Sequence, residues 1–453
     1  MGVYTAPSDD HLRAGPSSTM SLPTIFDLCD PRGDVIRGAI QEADFAADLA
    51  QVLRGEAPEE TKIPAQFFAN THPTRGLKNL LHNVCLRLAG RGGEVSSIFR
   101  LHTQYGGGKT HSLIALTHAA NGMVGVLNIG EFVDPAIVPR GRVRIAAFDG
   151  ENADPASGRL MGSGVRAFTP WGELAYQLAG ASGYETLRAN DEKGVAPGAE
   201  NIRALFGGEP TLILLDELAV FLRKAKTLPV AEQLVPFLTS LFKAVEGTPN
   251  AAVVYTLAIG KGGKAEDAYG AEHQFIADKM AEAESVSARK ATLLDPTTEE
   301  ETAQVVRRRL FKSIDYGRAA EVIAAYQQLW TTHRDVLPPE RSGEDRIERF
   351  RRGYPLHPEM MAAFTNKLST LGNFQRVRGM LRILARGVRH LWEQQPAHAH
   401  AVHLHHLDPG YGLVKQEIVT RLNLPLFDAP IRNDVSGEDG GKAALAQEFD
   451  QKI

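Results

Sequence analysis

The sequence predicts an α/β protein: a three-layer domain around a parallel sheet, followed by an all-helical region. Three observations carry that prediction. Short apolar runs alternate with longer helical patterns between Ser97 and Leu294. A glycine-rich turn joins one of those runs to an apolar helix, and another run ends in two adjacent carboxylates. After Asp295 the strand-like runs stop and helical spacing takes over. Strands buried on both faces read as continuous apolar runs, and alternation with helices calls for parallel pairing.

Composition agrees. The chain has 453 residues, 43% hydrophobic and 23% charged, enough for about three domains of ~150 residues with sizeable cores. Its 43 glycines and 25 prolines exclude collagen-like and wholly disordered classes. A net charge of −4 excludes a strongly basic nucleic-acid coat, though not a local basic groove. Cys29 and Cys85 make neither a disulfide framework nor a metal motif, so a reducing compartment is expected. The first 20 residues lack the apolar core of a signal peptide. The longest charge-free run, Ser112 to Gly130, carries His118, Asn121, Gly122 and Asn128, a poor composition for a spanning helix. A soluble, cytoplasmic protein without a membrane partner is expected.

Taken in order, residues 1–22 read as a disordered lead rich in Pro, Ser, Gly and Asp. Helical spacing covers Asp34 to Leu53 as one helix or a pair, and Gly76 to Leu88 after the turn THPTRG. Strands are expected at Ser97–Leu101, Val143–Phe148, Leu212–Leu215, Ala252–Leu257 and Ala291–Leu294, with helices at Trp171–Leu178 and Leu234–Val245. Trp171 has helical spacing with Leu174, Ala175 and Leu178 and is expected in the core. Segments 183–209 and 258–290 read as long loops or short helices. Thr297 opens a capping box with Glu300 ahead of a helix Glu301–Phe311. Helices follow at Ala319–His333, Pro358–Leu368 and Phe374–Glu393, with Pro339–Arg352 as a charged linker.

The richest stretch is Ser96 to Ala119. An apolar strand runs into Gly106-Gly107-Gly108-Lys109-Thr110-His111 and then an apolar helix, the setting that makes a phosphate-binding P-loop credible. Glycines let successive backbone N–H groups turn toward phosphate oxygens, where a side chain would intrude. Lys109 supplies a charge for the β- and γ-phosphates, the Thr110 hydroxyl suits Mg²⁺, and the helix directs its positive end at the anion. The usual GxxxxGK[ST] spacing asks for glycine at position 103, where this chain has Thr103.

A P-loop needs a second strand that ends in a carboxylate, and Thr211–Glu217 (TLILLDE) supplies it. Asp216 is expected to hold Mg²⁺, and Glu217 to orient the attacking water. Thr256, at the tip of an intervening strand, is the candidate γ-phosphate sensor; its alternative is a plain β-branched strand residue. Arg376, Arg378, Arg382 and Arg386 share one helix, with Arg378 placed to reach a nucleotide under a helical lid and an exposed basic face as the alternative. Arg307, Arg308 and Arg309 form a shorter cluster. The run AHAHAVHLHH alternates His398/His400 and His403/His405 as a strand would, without the companions of a functional metal site.

The pieces FFANTHPTRGLKNLL, RLHTQYGGGKTHSLIAL, WGELAYQLAG, LILLDELAVFL, YPLHPE and NFQRVRGMLRILAR resemble a large prokaryotic group of AAA+-type P-loop ATPases, known as a domain of unknown function. These occur in phage-defence and DNA-modification islands and are similar to the ATPases of bacteriophage-exclusion systems. The resemblance spans residues 23–453. It implies an N-terminal helical segment (23–95) on an ATPase core (96–295), a helical lid (296–396) and the start of a C-terminal domain (397–453), with the chain an N-terminal fragment. It further implies that Thr103 suits the family's own loop, that Thr256 is the first sensor and that Arg378 is the second-sensor candidate. The expected function is a Mg²⁺-dependent ATPase, the motor or switch of an anti-phage complex; the alternative is a non-hydrolysing, nucleotide-gated scaffold. The expected cofactors are ATP and Mg²⁺. The expected partners are a DNA methyltransferase, helicase or nuclease, DNA itself directly or through them, and further copies of the chain.

Overall fold

A computed structural model describes residues 22–37, 48–91, 93, 95–102, 108–256, 278–279, 281–283, 285–286, 291–337, 344–368, 374 and 377–435. The expected lead, Thr103, Gly106, Gly107, Arg376 and nearly all of 258–290 lie outside the described residues. The described strands are β1 (Cys29–Pro31), β2 (Ile98–Leu101), β3 (Arg144–Asp149), β4 (Arg159–Gly162), β5 (Val165–Ala167), β6 (Thr211–Asp216), β7 (Ala251–Thr256), β8 (Thr292–Leu294) and β9 (Phe311–Ile314).

Five of them form one parallel sheet in the order β3-β6-β7-β2-β8. From β2 the chain crosses to the far edge at β3, then returns through β6 and β7 toward β8. The direction along the sheet therefore reverses around β2 and β7, the kind of switch point where open α/β sheets bind ligands at the strands' carboxyl ends.

Alternation along the strands builds the three layers. Ile213 and Leu215 of β6, with Val253 and Tyr255 of β7, enter a core shared with helices Pro170–Lys193, Leu218–Lys224 and Pro229–Glu246. Leu212 and Leu214, with Ala252 and Val254, face the opposite core and helices Arg75–Leu88 and Lys109–Ala120. Trp171 is 1% exposed, as its spacing predicted.

A third core belongs to the helical region. Helices Thr302–Leu310, Tyr316–Thr332, Glu344–Gly353 and Val377–Gln394 contribute to it. So do Ile25, Leu28, Cys29 and Val35 from the N-terminal segment, because β1 pairs antiparallel with β9. The segment expected to pack on the sheet as one piece, 23–95, is thus divided between two cores.

Other expectations need correcting. Segment 183–209, expected as long loops or short helices, holds the end of the helix from Pro170 to Lys193, past a break at Ala179 and Gly180, and the short helix Ala199–Ala204. The expected Thr297–Glu300 capping box is replaced by a different contact one residue later, Thr298 N–H and hydroxyl donating to Glu301 Oε2 at 3.3 and 3.2 Å while Glu301 N–H donates to Thr298 O at 3.2 Å. The α-helix there ends at Leu310, and Phe311 opens β9. Glu344–Gly353, expected as linker, is a helix whose Ile347 and Phe350 are buried. The histidine run forms no strand; its last three residues make a 3₁₀ turn, Leu404–His406.

Candidate functional site at the carboxyl ends of the sheet

The side-chain parity that builds the layers also collects the polar strand ends. Asp149, Asp216 and Thr256 each follow residues that face the core of helix Lys109–Ala120, so all three point to that helix's side. In register, Asp149 lies directly across from Asp216.

Asp216 is 2% exposed, and both carboxylate oxygens are committed. Thr110 Oγ1 donates to Oδ2 at 2.7 Å, and Thr256 Oγ1 donates to Oδ1 at 2.6 Å. Asp216 therefore joins the first turn of the helix after the glycine loop to the tip of β7. A buried carboxylate of this kind persists only when hydrogen bonded, and charge-assisted bonds are the stronger class.

Glu217 follows in the left-handed region, φ 50°, ψ 40°. A non-glycine residue there costs roughly 1–3 kcal/mol and needs its surroundings to hold it. Its N–H donates to Thr256 Oγ1 and to Asp216 Oδ1, each at 3.1 Å. Burial pushes the Glu217 carboxyl above the usual range, Asp216 adds repulsion, and Lys109 opposes both.

Lys109 and Thr110 open a 12-residue helix, with Gly108 before them at φ +90°, a conformation that suits glycine. His111 is turned away to a packing role. Its ring stacks on Phe67 at a centroid distance of 4.4 Å, and its Nε2 lies 2.8 Å from Thr71 Oγ1. That hydroxyl gives its single proton to Phe67 O at 2.7 Å, so His111 Nε2–H must be the donor. Burial lowers the imidazole to about 4, leaving it neutral. Its side chain braces the helix rather than reaching toward a ligand.

The remaining expected residues lie in the helical region. Arg378 is exposed in the first turn of Val377–Gln394. Arg382 and Arg386 share that helix as expected but reach the buried Glu417, against the alternative of an exposed basic face. Arg309 pairs with Asp34 at 2.7 Å and Glu60 at 3.2 Å, and Arg308 donates to Ala69 O at 3.0 Å. Arg307 donates to Arg352 O and lies over the Tyr316 ring. These arginines tie the chain to itself.

Sequence reasoning missed the turn after β3. Asp149 accepts from Glu151 N–H at 2.9 Å and from Asn152 Nδ2 at 2.7 Å, and Asn152 Nδ2 also reaches Asp48 at 3.2 Å. Burial raises the Asp149 carboxyl, those two donors lower it, and Asp216 and Asp48 raise it further. The available signal was an apolar strand running into Asp-Gly-Glu-Asn, but the expected strand stopped at Phe148. Also missed was the Thr71–Gly76 strap. Thr74 Oγ1 caps the helix Arg75–Leu88, accepting from Leu77 N–H at 3.2 Å, and donates to Pro296 O at 2.6 Å; Arg75 N–H donates to Glu301 Oε1 at 2.8 Å.

Residues 30–290 match the family model described as the DUF499 N-terminal domain, and residues 297–447 match the DUF499 second domain. The chain belongs to the DUF499 family. The gap between the two matches, residues 291–296, contains β8, the last strand of the sheet before the helical core. No curated protein matches the chain. Among the described residues, no helix is long and apolar enough to cross a membrane.

Proposed function

We propose that this DUF499 protein binds ATP with Mg²⁺ on an AAA+-type P-loop and hydrolyses it. The observation that carries the reading is the 2.7 Å bond from Thr110 to Asp216, 106 residues apart in sequence. It unites the Gly-Lys-Thr turn with the carboxylate strand, the two motifs that together specify a phosphate site. The sheet order supports the same reading, since β7 lies between β2 and β6 and carries Thr256 to the place a γ-phosphate sensor needs.

The donor set suits the cofactor. One hydroxyl and one carboxylate, both hard oxygen ligands, match Mg²⁺, which keeps waters and phosphate oxygens for its other positions. Thr110 and Asp216 would hold it; when bound, it neutralises charge developing on the phosphates. Lys109 supplies positive charge at the helix N-terminus, where backbone N–H groups already favour an anion. Glu217 orients the attacking water, and Thr256 keeps both acidic residues in register.

Within a defence island, such a switch would drive or recruit a DNA methyltransferase, helicase or nuclease, alone or as a homo-oligomer. The test is ATP binding by calorimetry together with phosphate release, for the wild type and Lys109→Ala. Unchanged ATP affinity in that variant would end the P-loop assignment. ATP binding without turnover in the wild type, alone and with its operon partners, would turn the reading to the nucleotide-gated scaffold.

A further inference from the structure

We infer that Gly150 is a positioning residue for hydrolysis, one jaw of a backbone clamp that holds Glu217 in its left-handed conformation. The inference rests on the ATPase reading above and adds to it the residue that directly follows β3, a strand with no assigned part in the chemistry. Gly150 N–H donates to Asp216 O at 3.0 Å, which fixes the carbonyl end of the peptide linking Asp216 to Glu217. On the far side of that peptide, Glu217 N–H is held by Thr256 Oγ1 at 3.1 Å.

Space decides the residue type. A Cβ at position 150 would overlap the Glu217 carbonyl oxygen and sit 2.9 Å from its carbonyl carbon and 3.0 Å from Phe221 Cβ. The first two are backbone atoms, which cannot swing aside as a flexible side chain could. Any side chain at 150 therefore pushes the Glu217 peptide away from β3. Gly150 is not among the glycines with positive φ, so the requirement is close approach and not a special turn.

The Glu217 carbonyl also accepts from Val220 N–H at 3.0 Å and from Phe221 N–H at 3.2 Å, the first bonds of the helix that follows. The main-chain bonds of Glu217 and the neighbouring Gly150–Asp216 bond set where the side chain starts. Because φ 50° is unfavourable for glutamate, loosening either jaw lets the backbone relax and re-aims the carboxylate. A displacement of about 1 Å at a reacting group is enough to cost on the order of 100-fold in rate.

The full chain carrying Gly150→Ala is compared with wild type and with Gly141→Ala, a glycine whose added Cβ meets nothing within 4 Å. The expected result is kcat lower by about 10- to 100-fold, KM for MgATP within about threefold, and an unaltered Gly141→Ala control. If Gly150→Ala unfolds, the opposite jaw is read instead: Thr256→Val should lose kcat with KM kept, and Thr256→Ser should recover it. Wild-type kcat in Gly150→Ala or Thr256→Val, or a change confined to KM, overturns the clamp and leaves the ATPase reading intact. Absence of turnover in the wild type overturns the ATPase reading itself.

Discussion

Two clusters of titratable side chains, one at the sheet's carboxyl ends and one in the helical region, behave oppositely. At the sheet's carboxyl ends, Asp149, Asp216 and Glu217 are held by hydroxyls, backbone N–H groups and an amide, on elements far apart in sequence. In the helical region, His357 stacks on His403 at 4.2 Å and His403 on His405 at 5.1 Å, while Tyr326 Oη lies 2.7 Å from His403 Nε2. Trp330 and Phe350 pack against His357, and Arg346 lies over the Trp330 ring at 4.0 Å. The Asp149 and Asp216 carboxylates accept hydrogen bonds from several elements; the imidazoles are packed chiefly as aromatic rings. Chemically capable residues make a site when their polar atoms converge, not when their symbols crowd together in the sequence. Among the described residues, no group of three or more His, Cys, Asp or Glu is arranged to hold a metal ion.

The comparison can be broken most sharply at the sheet. Lys109→Ala should lower ATP affinity by about 1,000-fold or abolish it, since it removes the charge beside the phosphates. Calorimetry with MgATP measures this. Next in size, Glu217→Gln should keep ATP bound while turnover falls by about 100-fold, read by single-turnover phosphate release.

The helical histidines and Glu173 of the sheet domain should shift stability with pH in opposite directions, with His111 of the sheet domain sharing the histidines' sign. Burial and neighbouring cations lower His357 to about 3, His403 to about 4 and His406 to about 3. The unfolded chain takes up those protons near pH 6.5, so the helical core loses stability as pH falls from 6.5 toward 4, by several kcal/mol. Glu173 in the sheet domain, 4% exposed beside Arg159, is raised to about 7 by burial. Its proton is held more tightly folded than unfolded, so its share of stability is present below pH 4.5 and is lost as pH rises to 7, by about 3 kcal/mol at most. Glu173→Gln should flatten that slope. Denaturant melts of wild type, His403→Phe and Glu173→Gln across pH 4–8 check both signs; equal slopes in all three would erase the contrast.

The smallest expected effect lies between the cores. Thr74→Ala removes a helix cap and the bond to Pro296, and should cost about 1–2 kcal/mol without changing ATP affinity. A shift in denaturant midpoint measures it.

Much of the sheet was legible because buried parallel strands leave unbroken apolar runs, and Asp216 and Glu217 announce themselves at the end of one. Thr256 could be picked as a polar tip, but its bonds to both acidic residues depend on β7 lying next to β6, which only the topology supplies. Asp149 was lost to a boundary one residue short. The helix Glu344–Gly353 was hidden because eight of its ten residues, EDRIERFRRG, are charged or glycine, so two buried apolar side chains made a faint period. The histidine alternation suggested a strand, but a strand needs a ladder partner. Its neighbourhood offers a single bridge, Leu356 with Val402. The division of residues 23–95 between two cores follows from β1 pairing with β9, a contact between residues too distant for local patterns to register.

The sheet order has a consequence for how the chain becomes active during synthesis. Lys109 leaves the ribosome about 150 residues before Thr256, and β2 gains its partner β7 only then. Until that pairing closes, the phosphate-facing helix has Asp216 but not the strand that fixes it, and Glu217 has no hydroxyl to hold its backbone. Such long-range closure is slow, because the entropy of a large loop must be overcome before the contact is made. On the proposed ATPase reading, the nascent domain lacks the support for Asp216 and Glu217 until its fourth sheet strand docks, so competence for hydrolysis would arrive late in folding.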